Sequence, residues 1–483
     1  MMIPFFYFVL SVFLLVNVLG VLQPRIFGQT LGLIGSVPFL LVSLMAPQLI
    51  VLSLFVTVLV NWMGGLTTPL GQLGLVVNGA CWCLLLLHLL LMRNALPVLD
   101  GKPIRDDEPV FPGQPAGPLQ VSVLPHITRR AHARRKVEIL RNITYRTIDG
   151  QRLQLDVYRP RHRAPEGSSP PLQSIIYIHG GAWIVGTRRQ SPFLLMELAA
   201  AGYVVFAIQY RKAPRFPMPA CIHDCKAAVA WVREHAPEYG GTPEAIALGG
   251  SAGGHLAAML ATSPNEPALQ PGFESADTRM RGAVILYGIA DLVGLFDDHP
   301  HPIAHYLLQD LVFKRRFRDD PAAFHAAQPI TYLPKLGANT PPMLLIHGES
   351  DTLIPIEEAH RFRDRLVRAG APRVHLCEMP HAVHAFELAP TVLSQRAGRV
   401  IRQFLDSLQQ AEATAAASAT DASAAPSDRA KGTSDRAKGT SDRASAHGPS
   451  SGSGTSPHGG RKPESDGAAQ HPGRPLAAPA ASH

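Results

Sequence analysis

The distribution of apolar residues divides the chain into three unlike parts. The first part, as far as Met92, contains one charged side chain, Arg25. It holds three long apolar stretches, which run roughly from Pro4 to Leu22, from Pro38 to Val60 and from Leu73 to Met92. Each stretch reaches the ~20 residues that a helix needs to cross the hydrocarbon core of a bilayer. The pattern therefore predicts a membrane region over residues 1–95 with about three transmembrane helices.

Prolines in the second stretch leave its topology open. Pro38 and Pro47 either lie within one crossing or divide a longer run into two. The first stretch lacks a positive leading segment and a small-residue cleavage site, so it does not match a cleaved signal peptide.

The positions of the cations predict the orientation of the region. Arg25 follows the first stretch, and Arg93, Lys102 and Arg105 follow the third. With three crossings these cations share one face of the membrane, and cations collect on the cytoplasmic face. An integral, multi-pass protein with the rest of its chain in the cytoplasm is therefore predicted, and a double crossing of the second stretch would reverse that orientation.

Beyond the membrane region, short apolar runs alternate with amphipathic helical segments such as Cys221–His235 and Ile356–Arg368. Eight runs resemble strands, and the first two are joined by a hairpin turn at Asp149-Gly150. Their approximate bounds are Glu138–Thr147, Arg152–Tyr158, Ser174–Ile178, Tyr203–Ile208, Ala245–Leu248, Ala283–Tyr287, Met343–Ile346 and Val374–Cys377. This alternation indicates an α/β domain with a mostly parallel eight-stranded sheet that is covered by helices on both faces. The domain is predicted over residues 138–410, after a basic juxtamembrane linker or cap segment over residues 96–137.

The last part, residues 411–483, is rich in Ala, Ser, Gly and Pro and repeats the heptapeptide SDRAKGT at Ser427–Thr433 and Ser434–Thr440. Such a composition cannot bury enough apolar surface to offset the entropy lost on ordering. The tail is therefore predicted to be disordered.

Composition narrows the possible partners. The formal net charge is +8, but the sequence shows no zinc-finger spacing, basic helix or aromatic–basic alternation. No nucleic-acid partner is predicted, and the positive balance favours a membrane surface. A cluster of cations between Arg129 and Lys136 either rests on anionic lipid head groups or forms a solvated face. The five cysteines are predicted to be free thiols.

Two glycine-rich motifs carry the candidate chemistry. Gly249-Gly250-Ser251-Ala252-Gly253 matches G-x-S-x-G between a predicted strand and a predicted helix, a context in which a strained turn exposes the serine hydroxyl. His179-Gly180-Gly181-Ala182-Trp183 follows another strand. Consecutive glycines allow the N–H groups of Gly180 and Gly181 to converge with that of Ala252, as an oxyanion hole requires. His179 itself is interpreted as a structural hydrogen-bonding residue.

These motifs, together with Tyr210-Arg211-Lys212-Ala213-Pro214, resemble the hormone-sensitive-lipase-like branch of the α/β-hydrolases over about Ile139–Leu408. The resemblance implies an α/β-hydrolase fold with a cap that includes Val110–Lys136 and Leu292–Ala327. It also implies a catalytic triad whose members follow in the order serine, acid, histidine. The residues of this sequence that match the family's triad are Ser251, Asp351 and His384. The sequence departs from the family at Ala182, where the family usually has glycine, and at Lys212 and Arg215.

Each triad assignment has rivals. Glu349 and Asp291 are alternative acids, and His381 is an alternative base. Asp224 is interpreted as a structural carboxylate. The loop Asp297–His301 contains acidic residues and histidines, but its proline and short spacing favour an exposed loop. No metal and no cofactor is predicted.

The predicted function is a membrane-anchored serine carboxylic ester hydrolase that acts through an acyl-enzyme on a hydrophobic ester, which is a small molecule or a lipid. A prenylcysteine methylesterase-like enzyme is an alternative within the same chemistry. A catalytically idle lipid-binding or scaffold module on a hydrolase fold is the alternative from another class of protein.

Overall fold

A computed structural model describes residues 2–106, 108–111, 135–148, 150–162, 170–297 and 305–424. For residues 24–37, 412 and 415–424 it describes the backbone alone. Most of the predicted basic cluster, most of the loop Asp297–His301 and the tail from residue 425 lie outside the described residues.

The amino-terminal region consists of three helices, α1 (Met2–Leu22), α2 (Pro24–Trp62) and α3 (Pro69–Asn94), with a short 3₁₀ turn at Gly65–Thr67. Within the described residues, these three contain spans that are long and apolar enough to cross a membrane. Helix α2 continues unbroken through both of its internal prolines, and its residues Pro38–Trp62 are long and apolar enough to span a membrane. The number of crossings that α2 makes stays a prediction.

Polar side chains tie the three helices together inside an otherwise apolar bundle. Asn78 on α3 donates to the hydroxyls of Tyr7 on α1 (3.2 Å) and Thr57 on α2 (3.0 Å), which are themselves 2.9 Å apart. Ser43 on α2 lies 3.1 Å from His88 Nε2 on α3. In an apolar environment such hydrogen bonds satisfy groups that lipid cannot, and they fix the helices relative to one another.

The rest of the described chain is built on a ten-stranded sheet in the order β2-β1-β10-β9-β8-β7-β5-β6-β4-β3. The strands are β1 (Val98–Leu99), β2 (Lys102–Pro103), β3 (Val137–Ile148), β4 (Gln151–Pro160), β5 (Leu172–Ile178), β6 (Val204–Ile208), β7 (Gly241–Gly250), β8 (Gly282–Leu286), β9 (Met343–Gly348) and β10 (Val374–Met379). The chain has an α/β-hydrolase fold, in which β5 to β10 run parallel and β3 and β4 pair antiparallel at one edge.

The predicted strand number of eight needs a correction. All eight predicted strands are present, but β1 and β2 extend the sheet beyond β10. Both belong to the segment that was predicted to be a linker or cap outside the sheet. Strands of two residues are too short to leave a periodic pattern in the sequence, so their pairing could not be predicted.

Helices cover both faces of the sheet. They are α4 (Pro192–Ala200), α5 (Ala220–His235), α6 (Ala252–Thr262), α7 (Gly294–Asp297), α8 (Pro321–Ala326), α9 (Leu333–Leu336), α10 (Glu357–Arg368) and α11 (Val392–Ala424). A π-helical segment spans Tyr306–Phe313, and 3₁₀ turns lie at Ala236–Tyr239, Pro267–Leu269, Pro329–Tyr332 and Gly337–Asn339. Alternate residues of β5 enter opposite cores, with Ile176 facing α5 and α6 and Ile175 facing α4 and α11.

Helix α11 extends past the predicted start of the disordered tail. It runs to Ala424, whereas disorder was predicted from Ala411. The sequence between these residues is rich in alanine, which has the highest helix propensity of all residues. Low hydrophobicity therefore excluded a packed core there but did not exclude a helix.

Asp224 has the structural role that was predicted for it. It is fully buried on α5 and accepts two side-chain hydrogen bonds from Arg211, from Nε at 2.9 Å and from Nη2 at 2.9 Å, and a third from the Arg211 backbone N–H at 2.8 Å. The pair fixes the segment that follows β6 against α5.

We expect Asp224→Asn to destabilise the protein by about 3–5 kcal/mol, because it removes the negative charge of the buried carboxylate that pairs with the buried Arg211 guanidinium. Asp319→Asn is the matched control, since Asp319 pairs with Arg318 at 3.2 Å on the open surface. That variant should change the free energy of unfolding by less than about 1 kcal/mol. Denaturant unfolding of the full chain in detergent measures both, and equal effects would contradict the assignment.

Candidate active site

Ser251 lies on a tight turn between β7 and α6. Its backbone has φ 57° and ψ −123°, a conformation that side chains other than glycine rarely adopt. The turn requires close backbone packing, because a Cβ on Gly253 would lie 2.1 Å from the Ile178 carbonyl oxygen. Glycine at this position therefore allows β5 and α6 to approach each other and holds the Ser251 hydroxyl at the end of the strand.

His384 lies between Ser251 and Asp351. Its Nε2 is 3.0 Å from Ser251 Oγ, and its Nδ1 is 2.7 Å from Asp351 Oδ2. An ionised carboxylate only accepts hydrogen bonds, so Nδ1 carries the proton and Nε2 is free to accept the serine proton. The structure thus brings together three side chains that are far apart in sequence, each after the carboxyl end of a different parallel strand: β7, β9 and β10.

Asp351 is held ionised. Burial would raise the pKa of its carboxyl group, but the nearby imidazoles of His384 and His347, and hydrogen bonds from both, lower that pKa well below its ordinary value. The other carboxylate oxygen accepts the backbone N–H groups of Leu353 and Ile354, both at 2.9 Å. The carboxylate therefore keeps a fixed orientation toward His384.

The rival residues are engaged elsewhere or lie at the surface. Asp291 accepts the N–H of Gly294 at 2.7 Å and pairs with Arg365 at 2.9 Å. Glu349 and His381 are both exposed.

The predicted oxyanion-hole residues lie beside the serine. A Cβ on Gly180 would lie 2.8 Å from the Gly250 carbonyl oxygen and 3.4 Å from Ser251 Cβ, so the Gly180 backbone lies directly against the turn. Gly181 follows at φ +118°, and Ala252 is the first residue of α6. A helix amino terminus presents N–H groups and a partial positive charge to the same place.

His179 stabilises this loop. It is fully buried, and its ring stacks on that of Tyr210 with 4.3 Å between centroids. Tyr210 in turn donates its hydroxyl proton to the His179 carbonyl oxygen at 3.0 Å. Burial lowers the pKa of His179 to about 4, so the ring is neutral near pH 7.

Sequence reasoning missed a second layer beneath the histidine. The Tyr287 ring centroid lies 4.7 Å from that of His384, and the Tyr287 hydroxyl donates to the buried Glu387. Glu387 also accepts from Ser191 at 3.1 Å. Burial raises the pKa of Glu387 above its ordinary value, although the bonds from Tyr287 and Ser191 oppose that rise. These four residues, His384 included, form a packed support that no local motif could have indicated.

A further link joins the two glycine motifs to the segment between β8 and β9. Trp183 Nε1 donates to His255 Nδ1 at 3.2 Å, and His255 Nε2 donates to the Ala327 carbonyl oxygen at 2.7 Å. Residues Leu292 to Ala327 lie outside the sheet, as predicted, wherever the structure describes them.

The described part of the chain contains no cluster of side chains that could coordinate a metal ion. There, no three or more His, Cys, Asp or Glu side chains are grouped so that they could hold an ion. The arrangement that is present suits nucleophilic catalysis: a serine, a histidine positioned to accept its proton, a carboxylate that orients the histidine, and backbone donors beside the serine.

The region that contains the sheet is similar in sequence to known proteins. The BD-FAE family model matches residues 155–366, a span that contains Ser251 and Asp351 and ends before His384. Esterase LipQ of Mycobacterium tuberculosis is 41% identical over 258 residues, 53% of this chain and 59% of LipQ. Isoprenylcysteine alpha-carbonyl methylesterase ICME of Arabidopsis thaliana is 28% identical over 249 residues, 48% of this chain and 54% of that protein. The match thus spans less than two thirds of either relative.

Among solved structures, Thermogutta terrifontis esterase 2 phosphonylated by sarin is 27% identical. The likeness covers 56% of this chain and 94% of that one, with a TM-score of 0.48.

The geometry predicts that Ser251 reacts with a fluorophosphonate probe. Asp351→Asn should lower the rate of labelling on the order of a thousandfold or more, because the amide misorients the His384 ring. Glu349→Gln should label at the wild-type rate. Gel fluorescence of the probe over time measures these rates, and a reversed order would make Glu349 the acid.

Proposed function

We propose that the chain is a serine carboxylic ester hydrolase of the hormone-sensitive-lipase-like α/β-hydrolases, and the match of residues 155–366 to the BD-FAE family model supports this proposal. The observation that carries the proposal is the continuous row of hydrogen bonds from Ser251 through His384 to Asp351, at 3.0 and 2.7 Å. No cofactor is needed for this chemistry.

In the proposed reaction, Ser251 Oγ attacks the carbonyl carbon of the ester while His384 Nε2 takes the hydroxyl proton. The negative oxygen of the tetrahedral intermediate accepts hydrogen bonds from the N–H groups of Gly180, Gly181 and Ala252. Collapse of the intermediate expels the alcohol, which receives the proton from His384, and leaves an acyl-enzyme on Ser251. Water activated by the same histidine then releases the acid and restores the serine.

Asp351 has two roles in this scheme. It holds the tautomer in which Nε2 can accept a proton, and it stabilises the imidazolium that forms after the transfer. Because its pKa is lowered, it stays ionised throughout the neutral and mildly acidic range.

The second candidate is a prenylcysteine methylesterase-like activity. It is favoured by the similarity to the plant isoprenylcysteine methylesterase and by the apolar amino-terminal helices. Both candidates use the same acyl transfer and differ in the acid and alcohol parts of the ester. The two candidates are distinguished by the hydrolysis rates of a prenylcysteine methyl ester and of a long-chain fatty acid methyl ester. Faster hydrolysis of the prenylcysteine ester would favour the second candidate.

The proposal includes an integral membrane location. The three apolar helices support multi-pass anchoring, and the distribution of cations supports a cytoplasmic catalytic domain. A hydrophobic ester that partitions into the bilayer is the substrate class that this location favours.

Hydrolysis of a short p-nitrophenyl ester tests the catalytic assignments. Ser251→Ala and His384→Ala should each lower kcat on the order of a thousandfold or more, because the residues act as one unit. His381→Ala, three residues from His384, should keep most of the activity. If the chain were only a scaffold, the wild-type protein would show no turnover that depends on Ser251. If His381→Ala lost activity while His384→Ala kept it, His381 would be the base.

The orientation is tested by reporters fused after Arg105. Green fluorescent protein should fluoresce there and alkaline phosphatase should be inactive, because the cations hold that side of the membrane in the cytoplasm. Active phosphatase without fluorescence would place the catalytic domain on the opposite side.

A further inference from the structure

The exit of the chain from the apolar helices lies at the same edge of the sheet as the catalytic side chains. Helix α3 ends at Asn94, and β1 begins at Val98, which pairs with Glu378 at the carboxyl end of β10. Four Cα–Cα steps separate Asn94 from Val98, which is at most about 14 Å at full extension. The end of the third membrane-length helix is therefore tethered close to the loop that carries His384.

The exit is also clamped to the catalytic domain. Arg396, a buried residue of α11, donates from Nη1 to the Ala95 carbonyl oxygen at 2.6 Å and pairs with Asp106 at 2.7 Å. Met92 packs in the same apolar core as Phe386, two residues after the catalytic histidine. The junction is thus a packed contact whose orientation is fixed by hydrogen bonds.

Three of the four exposed large apolar residues after α3 belong to segments that follow the carboxyl ends of the parallel strands. After Asn94, the described part of the chain has four large apolar side chains that are strongly exposed. Val185 (61%), Tyr306 (55%) and Leu353 (38%) belong to segments that leave the carboxyl ends of β5, β8 and β9. The fourth, Val367, lies at the end of α10, directly before the amino end of β10 and so at the opposite edge.

We propose that the active-site edge rests on the lipid bilayer, with Val185, Tyr306 and Leu353 as an apolar rim that contacts the membrane. An ester with a membrane-embedded chain then reaches Ser251 without passing through water. The occupant is lipid rather than another protein because the rim adjoins the helices that are long and apolar enough to lie in the bilayer. The membrane contact stands on its own, whereas the entry of the substrate rests on the proposed function.

Membrane contact is measured without any need for turnover. An environment-sensitive fluorophore is attached to Leu353→Cys or, as the matched control, to Val367→Cys in the full chain. Cys83→Ser serves as the background, because Cys83 is exposed and the other four cysteines are buried. In phosphatidylcholine vesicles with brominated acyl chains, the label at position 353 should be quenched several-fold more than the label at position 367. Equal quenching would overturn the proposal.

Entry of the substrate is measured as a ratio of kcat/KM values, for an ester embedded in vesicles against a short soluble ester. Removing apolar contact area with Tyr306→Ser and Leu353→Ser together should lower this ratio on the order of tenfold. Val367→Ser should keep the wild-type ratio. A ratio unchanged by the rim variant would overturn entry from the bilayer. A wild-type chain that hydrolyses neither ester would instead contradict the proposed function, while the quenching result would still decide the membrane contact.

Discussion

The backbone at Ser251 is held at a positive φ by close packing of main chain against main chain. The Ile178 carbonyl oxygen occupies the space where a side chain at position 253 would start, and the Gly180 backbone occupies the space beside Gly250. A side chain at Gly253 would push β5 away from the serine, and a side chain at Gly180 would push away the loop that follows β5. The strain is therefore maintained by the buried sheet on both sides, and the position of the hydroxyl, the donors and the histidine all depend on that packing.

The support under His384 shows how far this constraint reaches. Tyr287 follows β8, contacts the histidine ring and bonds to Glu387, which in turn accepts a bond from Ser191 at the start of α4. The same tyrosine also limits the turn, because a Cβ on Gly250 would lie 2.6 Å from its hydroxyl oxygen. One buried side chain, Tyr287, thus packs against both the turn at Ser251 and the ring of His384.

Local signals in the sequence were sufficient for the eight long strands, for the three apolar helices and for the turn at Ser251, because each depends on residues that are adjacent in the chain. Asp351 and His384 required the family resemblance, since spacing alone did not separate them from Glu349 and His381. Glu387 and Tyr287 carry no local pattern and act through contacts about 100 residues apart in sequence. The same reason applies to β1, whose pairing with β10 depends on residues at opposite ends of the domain.

The most direct test of the proposed acyl-enzyme on Ser251 is the mass of the enzyme during turnover. A reaction with a p-nitrophenyl ester is quenched with acid within the first turnovers, and the peptides are mapped by mass spectrometry. The acyl-enzyme mechanism predicts an added acyl group on the peptide that contains Ser251, and a longer-lived adduct when the deacylation water is made less reactive by lowering the pH. Turnover with the acyl group on another residue, or with no covalent adduct under any of these conditions, would contradict the proposed acyl-enzyme mechanism.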